Sequence, residues 1–246
     1  MRLYLIRHGV SCTNLLRQIQ GNNSLNADRY IDPELTEEGR QTAKRLSPYI
    51  LKKINKPFVA GASKLLRAQQ TAHLLLKPKK LFIVPHISEL QRETMECTAL
   101  PPELQARTLI ERTGDKAIPP IRDYSYFEDD MINSEDQQVE MFLNWLGRNG
   151  SKITDNGKKS LVLVSHSLFM DQLIREMEGK ESGGILNYEM LELNVPIKNG
   201  KATVKSIRRV PYVDRKKLMW STRKHLQNNR CRIPVRKYHR TYKNGS

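Results

Sequence analysis

The feature that most constrains the fold is a short, uninterrupted apolar run, LVLV at residues 161–164, which is flanked by polar residues. Such a run is typical of a parallel strand that is buried on both faces of a sheet. Similar runs occur at residues 2–6, 58–62 and 81–84, and stretches with helical periodicity lie between them. Because strands that alternate with helices form βαβ units, we predict an α/β fold of three layers, α/β/α, around a mostly parallel central sheet.

Several of the predicted helices carry recognisable start signals. Thr36 is expected to cap a helix, because its hydroxyl can accept a hydrogen bond from a free N–H group of the first turn. Ser134 and Gln137 have the spacing of a capping box, which predicts that Ser134 caps a later helix and that Gln137 is its third helical residue. Two further helices are predicted at about residues 64–76 and 168–177.

The positive charge of the chain is concentrated near its end. The net charge is +16, and residues 201–246 carry +14 of it, with fifteen Lys and Arg against a single acid. A strand pair joined at Asn199-Gly200 is predicted to close the preceding domain. We therefore predict two parts, a near-neutral domain at residues 1–210 and a basic C-terminal extension at residues 211–246.

The extension has the composition of an arm that binds polyanions. Its basic residues come in clusters, and aromatic residues such as Trp220 and Tyr238 lie among them. Aromatic side chains can stack on bases, and few aliphatic residues are available to form a separate core. Nucleic acid is the partner that this pattern favours, followed by an anionic membrane surface or another polyanion. A solvated tail without a partner is the alternative.

The cysteines and histidines give no sign of a disulfide framework or a metal site. Cys12, Cys97 and Cys231 are scattered and form no Cys-x-x-Cys pair, and the six histidines lack metal-ligand spacing. We therefore expect no disulfide framework, no metal and no cofactor. The sequence contains no recognisable signal peptide and no apolar run of about 20 residues, the length of a transmembrane helix. Together these features favour a cytoplasmic protein, with the nucleus as the alternative.

Charged residues follow the ends of four predicted strands. In chain order they are Arg7 and His8, Arg67 in a first helical turn, Glu89, and His166 after the strongest strand. Because the carboxyl ends of parallel strands meet at one edge of a sheet, we expect these side chains to line one crevice. Arginines and helix N-termini bind anions, and a histidine can act as a nucleophile. The set therefore predicts an anion site beside a nucleophile.

Four stretches of the chain occur in an order that is characteristic of one protein family. RHGVSCTN, LTEEGRQTA, SKLLRAQQTA and LVLVSHS together resemble the histidine phosphatase (phosphoglycerate mutase-like) superfamily, over residues 1 to about 180. The resemblance implies a phosphoglycerate mutase-like fold and metal-independent hydrolysis of a phosphomonoester through a phosphohistidine on His8. In this interpretation Arg7, Arg67 and His166 surround the phosphoryl oxygens.

The resemblance also implies further phosphate-binding residues and a proton donor. Asn14 occupies a family position that would add a neutral donor to the phosphate, and Ser11 and Gly21 are weaker candidates. The family takes the proton for the leaving group from a carboxylic acid after the fourth strand. Glu89 fits that spacing best, and Glu93 is the alternative.

Two other functions remain open. One is a phosphotransferase of the phosphoglycerate mutase type, although nothing here resembles the Glu-Arg-His-Tyr-Gly stretch of the cofactor-dependent mutases. The other is a protein that binds nucleic acid or another polyanion and carries an idle phosphatase-like domain. Substrate selectivity would lie in a predicted loop at residues 18–33 and an irregular excursion at residues 98–130. Neither segment has a motif that distinguishes a small phosphorylated substrate from a phosphoprotein.

Overall fold

The computed structural model describes residues 1–20, 30–89, 95–113, 122–126 and 137–219. The strands are β1 (Arg2–Arg7), β2 (Phe58–Ala62), β3 (Leu81–Ile83), β4 (Arg122–Asp123), β5 (Ser160–Ser165), β6 (Met190–Asn194), β7 (Ile197–Lys198), β8 (Lys201–Ala202) and β9 (Ser206–Arg209). The helices are α1 (Cys12–Gln20), α2 (Glu37–Lys53), α3 (Leu66–Leu76), α4 (Pro102–Thr113), α5 (Gln138–Ile153) and α6 (Ser167–Glu178). Within the described ranges, no helix is both long enough and apolar enough to cross a membrane.

Seven of the strands form the central sheet, in the order β4-β3-β2-β5-β1-β6-β9. The first five run parallel to one another, whereas β6 and β9 run antiparallel to their neighbours. The strands β1 and β5 are direct neighbours, with Arg7 in register with Ser165. The residues that follow these two strands, His8 and His166, therefore emerge side by side at one edge of the sheet.

Helices cover both faces of the sheet. On β1, Tyr4 and Ile6 belong to an apolar cluster with residues of α2 and α3. The alternating residues Leu3 and Leu5 belong to a second cluster with residues of α5 and α6. All four side chains are buried, because a strand in the middle of a three-layer fold has an apolar partner on each side. The predicted α/β/α architecture with a mostly parallel sheet is confirmed.

One predicted helix start is confirmed and another is wrong. Thr36 caps α2, and its Oγ1 accepts a hydrogen bond of 2.9 Å from the backbone N–H of Gly39. By contrast, α5 begins at Gln138, and Gln137 is its N-cap position without a capping hydrogen bond from its side chain. The prediction that Gln137 is the third helical residue fails because the helix starts later than the capping-box pattern implies. Ser134 lies outside the described residues.

Two helices were not predicted. The helix α1 extends into the segment that was predicted to be a loop, and α4 occupies part of the excursion that was predicted to be irregular. Pro102 is the first residue of α4, a position where its missing N–H costs nothing, and this start signal is visible in the sequence. In α1, Leu15 is fully buried against the rest of the domain. This contact does not depend on a periodic pattern in the local sequence, so the helix was not predicted.

The chain after the sheet packs against the domain up to residue 219. Asn199 and Gly200 both have positive φ, 50° and 73°, and join β7 to β8 as the predicted two-residue turn. Beyond β9, Tyr212 and Leu218 are buried in the cluster that covers α2 and α3. The part of the predicted extension that the structure describes is therefore packed rather than extended. Residues 220–246 lie outside the described residues, and a separate basic arm there stays a prediction.

The cysteines differ from one another in their chemical state. Cys12 is buried and disulfide-bonded, whereas Cys97 is half-buried and is not part of a disulfide. The sequence indicated no disulfide framework, and the disulfide at Cys12 was therefore not predicted. Spacing along the chain could not reveal this, because a disulfide requires two Cα atoms within about 7 Å in space.

Candidate active site

His8 follows β1 and presents one ring nitrogen to the site. Its Nδ1 lies 2.6 Å from the carbonyl oxygen of Gly9, and a carbonyl can only accept, so Nδ1 carries the proton. The lone pair is therefore on Nε2, which accepts a hydrogen bond of 3.4 Å from Nε of Arg67. The backbone of His8 is held in place by the side chain of Asn187, which donates to its carbonyl oxygen at 2.8 Å. Nε2 is thus the ring nitrogen whose lone pair is available to a reacting atom.

The surroundings of His8 keep its ring neutral. Its side chain is buried, and this desolvation lowers its pKa well below the ordinary value of 6.5. The positive charges of Arg67 and Arg7 lower that pKa further. A neutral imidazole is the form that can attack phosphorus, so the electrostatics favour a nucleophile at neutral pH.

Two arginines lie beside His8. Arg67 is the second residue of α3, and its Nη1 donates to the carbonyl oxygen of Glu96 at 2.9 Å. Arg7 is the last residue of β1, and its Nη1 donates to the carbonyl oxygen of Ile185 at 2.6 Å. The Nε of Arg7 is buried and has no hydrogen-bond partner within the described part of the chain. A buried donor of this kind is well placed to bind an anion, because leaving it unsatisfied costs about 1–3 kcal/mol.

His166 follows β5 and is held by a serine. The two histidine rings lie 4.9 Å apart between centroids. The Nε2 of His166 is 2.6 Å from Oγ of Ser63, which directly follows β2. Its other ring nitrogen, Nδ1, is buried without a partner among the described residues and lies 3.7 Å from Glu89. Burial lowers the pKa of His166 well below 6.5, followed in size by the effect of Arg67.

Glu89 completes the cluster. Its Oε1 accepts a hydrogen bond of 3.0 Å from the backbone N–H of Leu168, in the first turn of α6. Only 12% of its side chain is exposed, and burial raises its pKa above the usual value, although Arg67 and Arg7 oppose this effect. A raised pKa favours the protonated form that a proton donor requires. The alternative donor, Glu93, lies outside the described residues.

The remaining predicted phosphate ligands have other structural roles or lie outside the described residues. Ser11 and Asn14 cap α1 reciprocally: the Oγ of Ser11 accepts from the N–H of Asn14 at 3.2 Å, and Oδ1 of Asn14 accepts from the N–H of Ser11 at 3.1 Å. Gly21 lies outside the described residues. The contribution of these three residues to phosphate binding stays a prediction.

Several supporting residues were missed by the sequence interpretation. The hydroxyl of Thr71 accepts from the N–H of Gly9 at 3.0 Å and donates to the carbonyl oxygen of Arg67 at 2.7 Å, so it links both halves of the site. Ser63 and Thr71 both lie in the stretch SKLLRAQQTA, and that stretch was a visible signal for them. Tyr188 had no such signal. Its ring lies so close to Gly9 that a Cβ at that position would overlap it.

The cluster is better suited to an anion than to a cation. One ligand atom from each of His8, Glu89 and His166 lies within 4.8 Å of the others, a spacing that a metal ion could use. However, Arg7 and Arg67 add two positive charges and lower the pKa of both histidines. The same charges would repel a metal ion and attract an oxyanion. The geometry therefore suits an oxyanion bound beside a neutral histidine.

The fold and this cluster define an α/β protein with a site suited to an oxyanion, and the sequence assigns the family. Residues 3–201 match the sequence profile of the histidine phosphatase superfamily (branch 1). The chain therefore belongs to this superfamily, as the four sequence stretches predicted. No curated protein matches the chain in sequence.

Solved structures share the fold. The ecdysone phosphate phosphatase of Bombix mori, solved with tungstate, has a TM-score of 0.54 and 14% identity, and the match covers 87% of this chain and 95% of that one. The phosphoserine phosphatase of Entamoeba histolytica, solved with 3-phosphoglyceric acid, has a TM-score of 0.50 and 22% identity, and covers 86% and 98%. At these identities the similarity establishes the phosphoglycerate mutase-like fold.

Proposed function

We propose that the protein is a phosphatase that hydrolyses a phosphomonoester through a phosphohistidine on His8. The observation that carries this proposal is the tautomer of His8, whose unprotonated Nε2 lies 3.4 Å from the guanidinium of Arg67. A nucleophile next to a fixed cation is the arrangement that phosphoryl transfer requires, because the transferred group carries negative charge. Membership of the histidine phosphatase superfamily supports the same reaction.

The proposed reaction has two steps. In the first, Nε2 of His8 bonds to phosphorus while the ester P–O bond breaks, and Glu89 gives its proton to the leaving alkoxide. In the second, water attacks phosphorus, the P–N bond breaks, and the carboxylate of Glu89 takes the proton of the water. Inorganic phosphate leaves, and His8 returns to its neutral form. Arg7, Arg67 and His166 would stabilise the charge on the equatorial oxygens throughout.

A phosphotransferase of the mutase type is the alternative within the same chemistry. Such an enzyme must return the phosphoryl group from His8 to a second substrate before water reaches it. The absence of a Glu-Arg-His-Tyr-Gly stretch from the sequence favours hydrolysis. Among proteins of this fold, the two solved examples above are named as phosphatases of small molecules. We therefore propose a small phosphorylated substrate ahead of a phosphoprotein.

A panel of phosphomonoesters assayed with EDTA tests the proposal. We expect phosphate release from at least one ester and no loss of rate when EDTA is added, because Arg7 and Arg67 supply the positive charge. Sugar phosphates, phosphoamino acids, nucleotides, inositol phosphates and phosphotyrosine peptides should be included. Activity that disappears with EDTA and returns with a divalent metal would contradict the proposal. Phosphate exchange between phosphoglycerates without net hydrolysis would support the mutase instead.

We propose nucleic-acid binding as a second function, carried by the basic segment at residues 220–246. Lys198, Lys201 and Lys205 add exposed positive charge at the antiparallel end of the sheet. Binding to RNA or duplex DNA should weaken with salt, with a log–log slope of about −0.7 to −0.9 per neutralised phosphate. The control should end at Met219 rather than near residue 210, because Tyr212 and Leu218 contribute to the core.

The measurement compares the full chain with this shortened chain at two salt concentrations. We expect the shortened chain to lose most of its affinity for nucleic acid and to keep its phosphatase activity. Equal and weak binding of nucleic acid by both chains would contradict the proposal and indicate that the segment is a solvated tail. Binding to anionic vesicles but not to nucleic acid would contradict the proposal and would identify a membrane surface as the partner of the segment.

A further inference from the structure

The guanidinium of Arg7 is bound by a loop in which two adjacent glycines precede the bonded carbonyl. The loop, residues 182–186, connects α6 to β6, and the carbonyl oxygen of Ile185 accepts the hydrogen bond from Nη1 of Arg7 at 2.6 Å. Gly183 and Gly184 have φ values of +68° and +79°, and a Cβ placed on either would meet no atom within 4 Å. The side chain of Ile185 is buried in the apolar cluster that contains residues of α5 and α6. The two left-handed glycines before it have open space around them and are free to change conformation, so the orientation of the backbone here also depends on the groups that bind its carbonyls and N–H groups.

Two arginines from the end of the domain bind the carbonyl groups of this loop. Arg209 is the last residue of β9, and its Nη2 donates to the carbonyl oxygens of Ser182 and, at 3.2 Å, Gly184. Arg215 belongs to the packed segment beyond β9, and its Nη2 also donates to the carbonyl oxygen of Gly184, at 2.9 Å. Two guanidinium groups therefore converge on the carbonyl that immediately precedes Ile185.

A buried carboxylate holds the other side of the loop. Glu189 forms an ion pair with Arg209, and Nε of Arg215 lies 3.5 Å from the same carboxylate oxygen. The second oxygen of Glu189 accepts from the N–H of Leu186 at 2.7 Å. The backbone of Glu189 also accepts from the N–H of Arg7 at 3.0 Å. Glu189 therefore links the two ion pairs to the backbone of Arg7 directly. It links them to the side chain of Arg7 through the peptide group between Ile185 and Leu186.

We propose that Arg209 and Arg215, here called the C-terminal clamp, are positioning residues for Arg7. The clamp fixes the Gly184 carbonyl and hence the Ile185 carbonyl, which in turn orients the guanidinium of Arg7 toward the phosphoryl oxygens. Without it, Arg7 loses a preorganised anchor and must be ordered by the bound anion, which costs affinity. This inference rests on the proposed function, because it takes the cluster around His8 to be an oxyanion site.

Two other roles of Arg215 must be separated from positioning. Arg215 could add only general positive charge, or it could contribute only to folding stability. Lys216 is a matched control, since it lies in the same short turn, carries the same charge and has an exposed side chain. The side chain of Arg215 is 54% exposed, so its removal should leave the fold intact. Arg215→Lys keeps the charge and one donor, but it cannot bind Gly184 and Glu189 with a fork of donors.

The experiment measures binding of tungstate to the full chain by calorimetry, together with the unfolding temperature of each variant. We expect Arg215→Ala to raise the dissociation constant about tenfold, the effect of roughly one lost interaction of 1.4 kcal/mol. Arg215→Lys should give an intermediate value, and Lys216→Ala should stay within about twofold of the unmodified protein. On the ester that is hydrolysed best, KM should rise more than kcat falls.

The possible failures are distinguishable. If the unmodified protein does not bind tungstate, the oxyanion site and the proposed function fail together. If it binds tungstate and Arg215→Ala binds equally well, the clamp alone is overturned. Equal weakening by Arg215→Ala and Lys216→Ala would also overturn the clamp, because general charge would then explain the effect. If Arg215→Ala does not fold, Arg215→Gln replaces it, because the amide keeps a donor for the Gly184 carbonyl but carries no charge. Unchanged tungstate binding by the folded Arg215→Gln variant would contradict the role of the ion pair with Glu189.

Discussion

Replacement of His8 with alanine is expected to abolish phosphomonoester hydrolysis, with a fall in kcat on the order of 10⁴–10⁶-fold. The reason is that Nε2 of His8 is the nucleophile in the proposed reaction, whereas the second histidine of the cluster, His166, is assigned to the phosphoryl oxygens. Rapid mixing with substrate and an alkaline quench, which preserves the acid-labile P–N bond, followed by mass spectrometry should detect phosphate on the peptide that contains His8. The alanine variant should carry none.

His73 offers a matched control for this experiment. It is a buried histidine six residues beyond Arg67 on α3, with a pKa lowered to about 4, and it takes no part in the proposed reaction. His73→Gln should retain activity. Full activity in the His8→Ala protein would remove the phosphohistidine from the mechanism, as would phosphate trapped on another residue. Because the pKa of His8 is lowered, the nucleophile should stay unprotonated, and the unmodified enzyme active, at pH values below 6.5.

The second large effect is expected at Glu89. Glu89→Gln should slow esters of aliphatic alcohols by about 10²–10⁴-fold, because their alkoxides need a proton in order to leave. Aryl phosphates with acidic leaving groups should be affected far less. Initial rates over a series of esters, plotted against the pKa of the leaving alcohol, should therefore give a steeper slope for the variant than for the unmodified enzyme.

The raised pKa of Glu89 predicts a pH dependence of definite sign. In the unmodified enzyme, the rate with an aliphatic ester should hold to higher pH than an ordinary carboxyl group would allow, and then fall as Glu89 loses its proton. Glu89→Gln should lack that fall, because the amide does not titrate. Glu93→Gln is the decisive comparison. If Glu93→Gln shows the leaving-group effect and Glu89→Gln does not, the proton donor has been assigned to the wrong residue.

The sequence by itself determined the architecture and the five residues of the cluster. Both rest on local patterns: an apolar run such as residues 161–164 can only be a strand or a buried helix segment, and the residue after a parallel strand must lie at one edge of the sheet. The cap of α2 by Thr36 is equally local, since donor and acceptor are three residues apart. Interactions over a few residues can be predicted from spacing, as at Thr36, although the capping-box pattern placed the start of α5 too early.

What supports the cluster was decided only by the tertiary structure. The bond between Ser63 and His166 joins residues 103 apart in sequence, and the bond between Arg7 and Ile185 joins residues 178 apart. No local pattern encodes such pairs, because any backbone carbonyl can accept from an arginine. The same reason applies at the end of the domain. Composition and charge indicated an extended basic arm from residue 211 onward. Instead Tyr212 and Leu218 are buried in the core, because apolar side chains gain free energy when they leave water.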